Sequence, residues 1–125
     1  MPLPDFMSQP FVAGDYLVFQ LESAFGILRV LAVEGEGADT VWHVVAYEEF
    51  FPDVEAAEQA LAQPRSLHIR KDHMALTDRA LERTPAAKLG NRPVTNEELE
   101  LYRQWQERAE HCVSDRSVLL LLGMR

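Results

Sequence analysis

Cations are almost missing from the first half of this 125-residue chain: residues 1–64 hold one, Arg29, against eleven carboxylates. A field of that sign disfavours duplex nucleic acid as a partner, because phosphate binding needs the opposite one. Cysteine is nearly absent too. Cys112 stands alone, so no internal disulfide can form, in keeping with a reducing compartment. No long apolar run occurs. The longest, Val118 to Leu122 and Ala24 to Leu28, fall far short of a membrane span. Met1-Pro2-Leu3-Pro4-Asp5 has neither a basic n-region nor an apolar h-region, so no secretory signal is expected and the cytoplasm is the expected location.

Reactive motifs are equally scarce. There is no Cys-x-x-Cys, His-x-His or His-Glu-x-x-His, the close pairs from which tetrahedral zinc sites are built. His111 and Cys112 are neighbours on an expected helix, about 100° apart, and cannot easily chelate one ion. His111 suits a helix C-terminus, where a cation complements the dipole. Cys112 is expected in the core beside Trp105 and Ala109. Gly-x-Ser-x-Gly and Ser-x-x-Lys are absent. Gly35 and Gly37 have acidic neighbours that would repel a phosphate. No constellation supplies both a nucleophile and a base, so no catalytic residue, metal or cofactor is expected.

What is present is a set of short alternating segments. Residues 1–13 hold three prolines and read as an irregular lead-in to one α+β domain spanning 1–125. Gly14-Asp15 opens a first strand, Phe25 to Val33 is apolar on both faces, and Val41 to Tyr47 is a third strand whose one polar interruption is His43. Short loops between them imply an antiparallel meander. Trp42 shares a face with Val44 and Ala46 and is expected in the core. Asp53 is a good N-cap for a helix that Pro64 stops. Ser66 to Ile69 reads as a fourth strand, His73 to Arg83 as strand into loop, 84–94 as a surface loop, and Val118 to Leu122 as a buried strand. Thr95-Asn96-Glu97-Glu98 is a capping box that starts a helix running to about His111. Together these give a strongly bent antiparallel sheet of about five strands, SH3-like or a small barrel, packed with two helices.

The charges then divide the chain. Residues 65–92 carry seven cations against three acids, within a net charge of −8. The acidic half includes Glu48, Glu49 and Asp53 around Phe50-Phe51, where one ring can be buried and the other left out. An exposed aromatic among carboxylates suits a partner with a basic surface.

Gly14-Asp15, Phe25-Gly26-Ile27-Leu28-Arg29-Val30-Leu31 and Leu89-Gly90-Asn91-Arg92-Pro93-Val94-Thr95 together resemble the immunity-protein-26-like group of bacterial domains. In that group a Gly-Asp strand and a Gly-x-x-Arg-Val-Leu strand begin a small β-rich fold. The likeness covers about half the chain, and the glycine-rich turn expected between the first two strands is Glu22-Ser23-Ala24 here. It implies a toxin-neutralising or other protein-binding role with no catalytic residues. Three readings follow: a non-catalytic acidic interaction module; a small-molecule-binding domain or minor enzyme with a pocket at Arg29, His43 and Tyr102 between the sheet and the last helix; and a nucleic-acid-associated protein using 65–92.

Overall fold

The alternating segments meet as one antiparallel sheet. In the computed structural model, which describes residues 11–108 and 112–123, the strands are β1 (Asp15–Leu21), β2 (Ala24–Glu34), β3 (Val41–Tyr47), β4 (Ile69–Thr77) and β5 (Ala86–Asn91). Their order is β4-β3-β2-β1-β5, so β4 and β5 are the outer strands and the sheet does not close into a barrel. The class is α+β. Two main helices, α1 (Val54–Ala60) and α3 (Asn96–Glu107), accompany two short ones, α2 (Asp78–Glu82) and α4 (Val118–Leu121).

Period-2 alternation gives the sheet two apolar faces, and each is covered. On one face Leu17, Phe19, Leu28, Val30, Trp42, Val44 and Leu76 pack against Ala80 and Leu81 of α2, Val118 and Leu122 at α4, and Phe11. On the other, Tyr16, Val18, Ile27, Leu31, Val45 and Tyr47 pack under Ala57 and Leu61 from α1 and Leu101 and Tyr102 from α3. Trp42 is in the core as expected, its indole N–H donating to Asp78 Oδ1 at 3.1 Å.

The helix starts follow local chemistry. Asp53 accepts from the Ala56 N–H at 2.8 Å and opens α1. Thr95 and Glu98 form the reciprocal capping box of α3, at 3.2 and 3.0 Å.

Several segments depart from expectation. The 84–94 stretch is a strand over Ala86–Asn91, because the free edge of β1 supplies the pairing that Ala-Ala-Lys-Leu-Gly-Asn does not encode. The run expected as a strand from Val118 to Leu122 holds the short helix α4, Val118–Leu121, capped by the Ser117 hydroxyl, since a brief apolar run does not distinguish a buried strand from a buried helix. The fourth strand begins at Ile69, where Ser66 to Ile69 was expected, and runs to Thr77, whose hydroxyl caps α2. The α3 helix ends at Glu107, and the roles expected for Ala109 and His111 lie outside the described residues. Cys112 is exposed, because the chain has left the helix before reaching it. Among the described residues no helix is long and apolar enough to cross a membrane.

Candidate functional site

The α3-covered face buries a guanidinium and an imidazole, those of Arg29 and His43, with 1% and 0% of their surface exposed. They sit on adjacent central strands, where a polar group must find partners or cost stability. Their partners differ in kind.

Arg29 is fully occupied. Nε and Nη2 donate to the two carboxylate oxygens of Glu98 at 2.9 and 3.0 Å, and Nη2 also donates to the Pro93 carbonyl at 3.0 Å. Nη1 donates to the carbonyls of Arg92, at 2.8 Å, and Gly14. Five bonds match the five N–H donors of a guanidinium. The cation also lies 4.2 Å over the Tyr16 ring. Gly14 is needed here, since its φ is +94° and a Cβ would stand 2.6 Å from the Arg92 oxygen. Burial pushes the Glu98 carboxyl up, but Arg29 and the Thr95 N–H outweigh it and hold the group below the usual range. The result is a clasp that fixes the first turn of α3 to the sheet, with no donor left for a ligand.

His43 sits in a polar file. Its Nδ1 lies 2.9 Å from Nε2 of His73, and its Nε2 lies 2.6 Å from Glu34 Oε1 in a bent geometry that does not make a linear hydrogen bond. A carboxylate oxygen that close to a ring nitrogen requires a proton on the nitrogen. Nδ1 of His43 is then the acceptor, His73 Nε2 is the donor, and His73 Nδ1 keeps a lone pair. Tyr102 donates to the same Glu34 oxygen at 2.7 Å, and Gln106 donates to the Tyr102 hydroxyl at 3.0 Å.

Aromatic rings close over this file. The His43 ring centre is 4.5 Å from that of Tyr102 and 4.7 Å from that of Trp105, and His73 is 5.4 Å from Trp105. Tyr102 and Trp105 stand one helical turn apart on α3, so a single helix face supplies both rings. Burial holds both imidazoles down, with His43 resisted by Glu34 and His73 lowered further by His43, to about 4. Burial and Glu34 push the Tyr102 hydroxyl up to about 12. Burial thus favours the neutral form of both rings, and the contact between His43 Nδ1 and His73 Nε2 fixes which nitrogen of each faces the other.

His73 owes its position to irregular pairing. Val44 pairs with Met74 but Ala46 pairs with Lys71, so β4 spends an extra residue at His73. Such bulges re-aim side chains. Beyond it, the 113–115 segment runs alongside β4, with Ser114 bonding Ala75 and Thr77 through the backbone. Between the edge of β4, the end of α3 and this segment lies an open groove of about 620 Å³, lined among others by Lys71, His73, Trp105, Arg108, Ser114 and Arg116.

The expected pocket residues thus part company: His43 and Tyr102 belong to one cluster through Glu34, whereas Arg29 is spent in the clasp. Sequence reasoning missed Glu34, His73 and Trp105. The available signal was Tyr102 and Trp105 at helical spacing facing the one histidine inside an apolar strand.

The residues expected to meet a partner lie at the other end of β3. Phe51 pairs through its backbone with Phe25 and is half-buried against the core, while Phe50 projects with 41% of its surface exposed. Glu48 is exposed, as are Asp53, which caps α1, and Val54. Glu49 accepts from the His68 N–H at 2.6 Å and touches its imidazole at 2.6 Å. Burial raises that carboxyl, but His68 outweighs it and holds the group below the usual range. The β1–β2 turn is at this end too, with Glu22 at a φ of +43°. Among the described residues no group of three or more His, Cys, Asp or Glu side chains could hold a metal ion. Comparison with protein-family models, with curated proteins and with solved structures found no match to this chain.

Proposed function

We propose that this chain is a small acidic, non-catalytic interaction module that docks a basic protein through the end of the sheet holding Glu48, Phe50, Asp53 and Val54. The observation that carries it is the pair Phe50 and Val54, each 41% exposed, standing among exposed carboxylates. An apolar anchor ringed by charge of one sign is a natural hot spot, in which the ring supplies affinity and the carboxylates supply steering. Glu22 supports the same end. A non-glycine residue at positive φ is strained, and such strain gathers where a surface is held for use. The likeness of Gly14-Asp15 and Phe25 to Leu31 to immunity-type domains favours a toxin with a basic cleft as the partner.

Affinity capture from the native host tests this. Wild type at low salt should retain a basic protein, which Glu48→Lys with Phe50→Ser should lose. Lys71→Glu, on β4, should leave its capture unchanged. A partner held equally by all three, or one without a basic surface, overturns the reading.

A further inference from the structure

The β4 groove differs in sign from the acidic first half of the chain. Lys71, Arg108 and Arg116 line it, no lining residue is acidic, and none of the three cations is in an ion pair with a described residue. Three unpaired cations converging on one concavity of a protein with net charge −8 focus a local positive potential. Trp105 adds a ring at the wall. His73 adds an imidazole whose Nε2 is committed to His43 while Nδ1 keeps its lone pair. The volume of about 620 Å³ lies within the range of small-molecule sites.

We propose that this groove binds a phosphate monoester carried on a planar ring, of the nucleoside monophosphate kind. A phosphate monoester carries about −1.5 to −2 charges at pH 7, which two arginines and a lysine match better than they match a single carboxylate. The ring stacks at Trp105, where any base presents a π-face. His73 accepts a hydrogen bond from a ligand hydroxyl through Nδ1. Its own orientation is held by His43 and Glu34 behind it. The site is built from β4, α3 and the 112–116 segment and uses none of the acidic residues proposed to meet a protein.

Calorimetric titration of the full chain with adenosine 5′-monophosphate is the test. Binding is expected, with ribose 5-phosphate about fivefold or more weaker for want of a stacking ring. Lys71→Glu with Arg116→Glu, both exposed and free to change without disturbing the core, should weaken binding by about tenfold or more. Arg103→Glu, exposed on α3 but outside the groove, should leave it unchanged. Circular dichroism confirms that each variant is folded. No binding of the mononucleotide at millimolar concentration overturns the proposal. So does equal affinity in the Lys71/Arg116 variant, or binding of single-stranded RNA without binding of the mononucleotide.

Discussion

The two faces of the sheet are built on different principles. The face under α2 and α4 is mainly apolar, and its two buried carboxylates are each answered, Asp78 by the Trp42 indole and Asp15 by Asn91, the Val12 N–H and Lys88. The face under α1 and α3 carries Arg29 and His43 in its interior, each held by partners from α3 or the neighbouring strands. Burying apolar area stabilises in proportion to area and asks little of geometry. Burying a guanidinium returns its desolvation cost only when every donor is met. The first face therefore holds the fold together, and the second dictates where α3 must lie. Polar interiors that specify one arrangement are also where ligand chemistry gathers.

Breaking the Arg29 clasp should give the largest effect. Arg29→Ala should cost about 3–5 kcal/mol, because it strands a partly buried Glu98 and unsatisfied carbonyls. Urea unfolding measures it. Arg29→Met with Glu98→Met should recover part of the loss, whereas the apolar face offers no such rescue for Phe19→Ala, expected at a similar 3–5 kcal/mol. Equal losses in Arg29→Ala and in the paired Met variant would erase the distinction between the faces.

Acid sharpens the contrast. His73 has a folded pKa of about 4 against 6.5 unfolded, so the unfolded chain takes up a proton first as pH falls. Stability is complete above pH 6.5 and declines toward pH 4, by about 2 kcal/mol at pH 5 from this group alone. His43, shifted the same way, adds to the decline. Glu98 and Glu49, shifted below 4.5, contribute stability that is lost at still lower pH. Unfolding midpoints at pH 7 and pH 5 should differ in wild type and differ less in His73→Gln, where the His43 contribution remains.

Smaller effects follow at the edges of each layer. Thr95→Ala removes one half of the α3 capping box and should cost about 1 kcal/mol, read from thermal unfolding. Glu22→Gly should stabilise by about 0.5 kcal/mol, because relief from a positive φ exceeds the entropy that glycine adds to the unfolded chain.

What could be read from the sequence was what is locally determined. Asp53 and Thr95 cap helices by reaching three residues ahead, and alternation marks Leu17, Phe19 and Leu21 as one side of β1. The rest depends on distant pairing. β5 is a strand because β1 lies beside it, not because Ala86 to Asn91 prefer extended structure. His43 was visible as an anomaly inside a strand. Its partner His73 comes within 2.9 Å through the β3–β4 register and an extra residue in β4, neither of which composition reveals. Glu34 and Tyr102 are joined across 68 positions of chain.

The open edges of the sheet carry a last consequence. β4 presents Arg70, Lys71 and Asp72 along its outer strand, and the backbone of Ser114 occupies part of the ladder beyond them. At the opposite margin Lys88 reaches Asp15 from an edge strand that includes Gly90. Neither margin offers a flat apolar row to a second molecule. An unshielded strand of this kind invites stacking into fibrils, and a chain whose margins are charged or occupied resists that fate at high concentration.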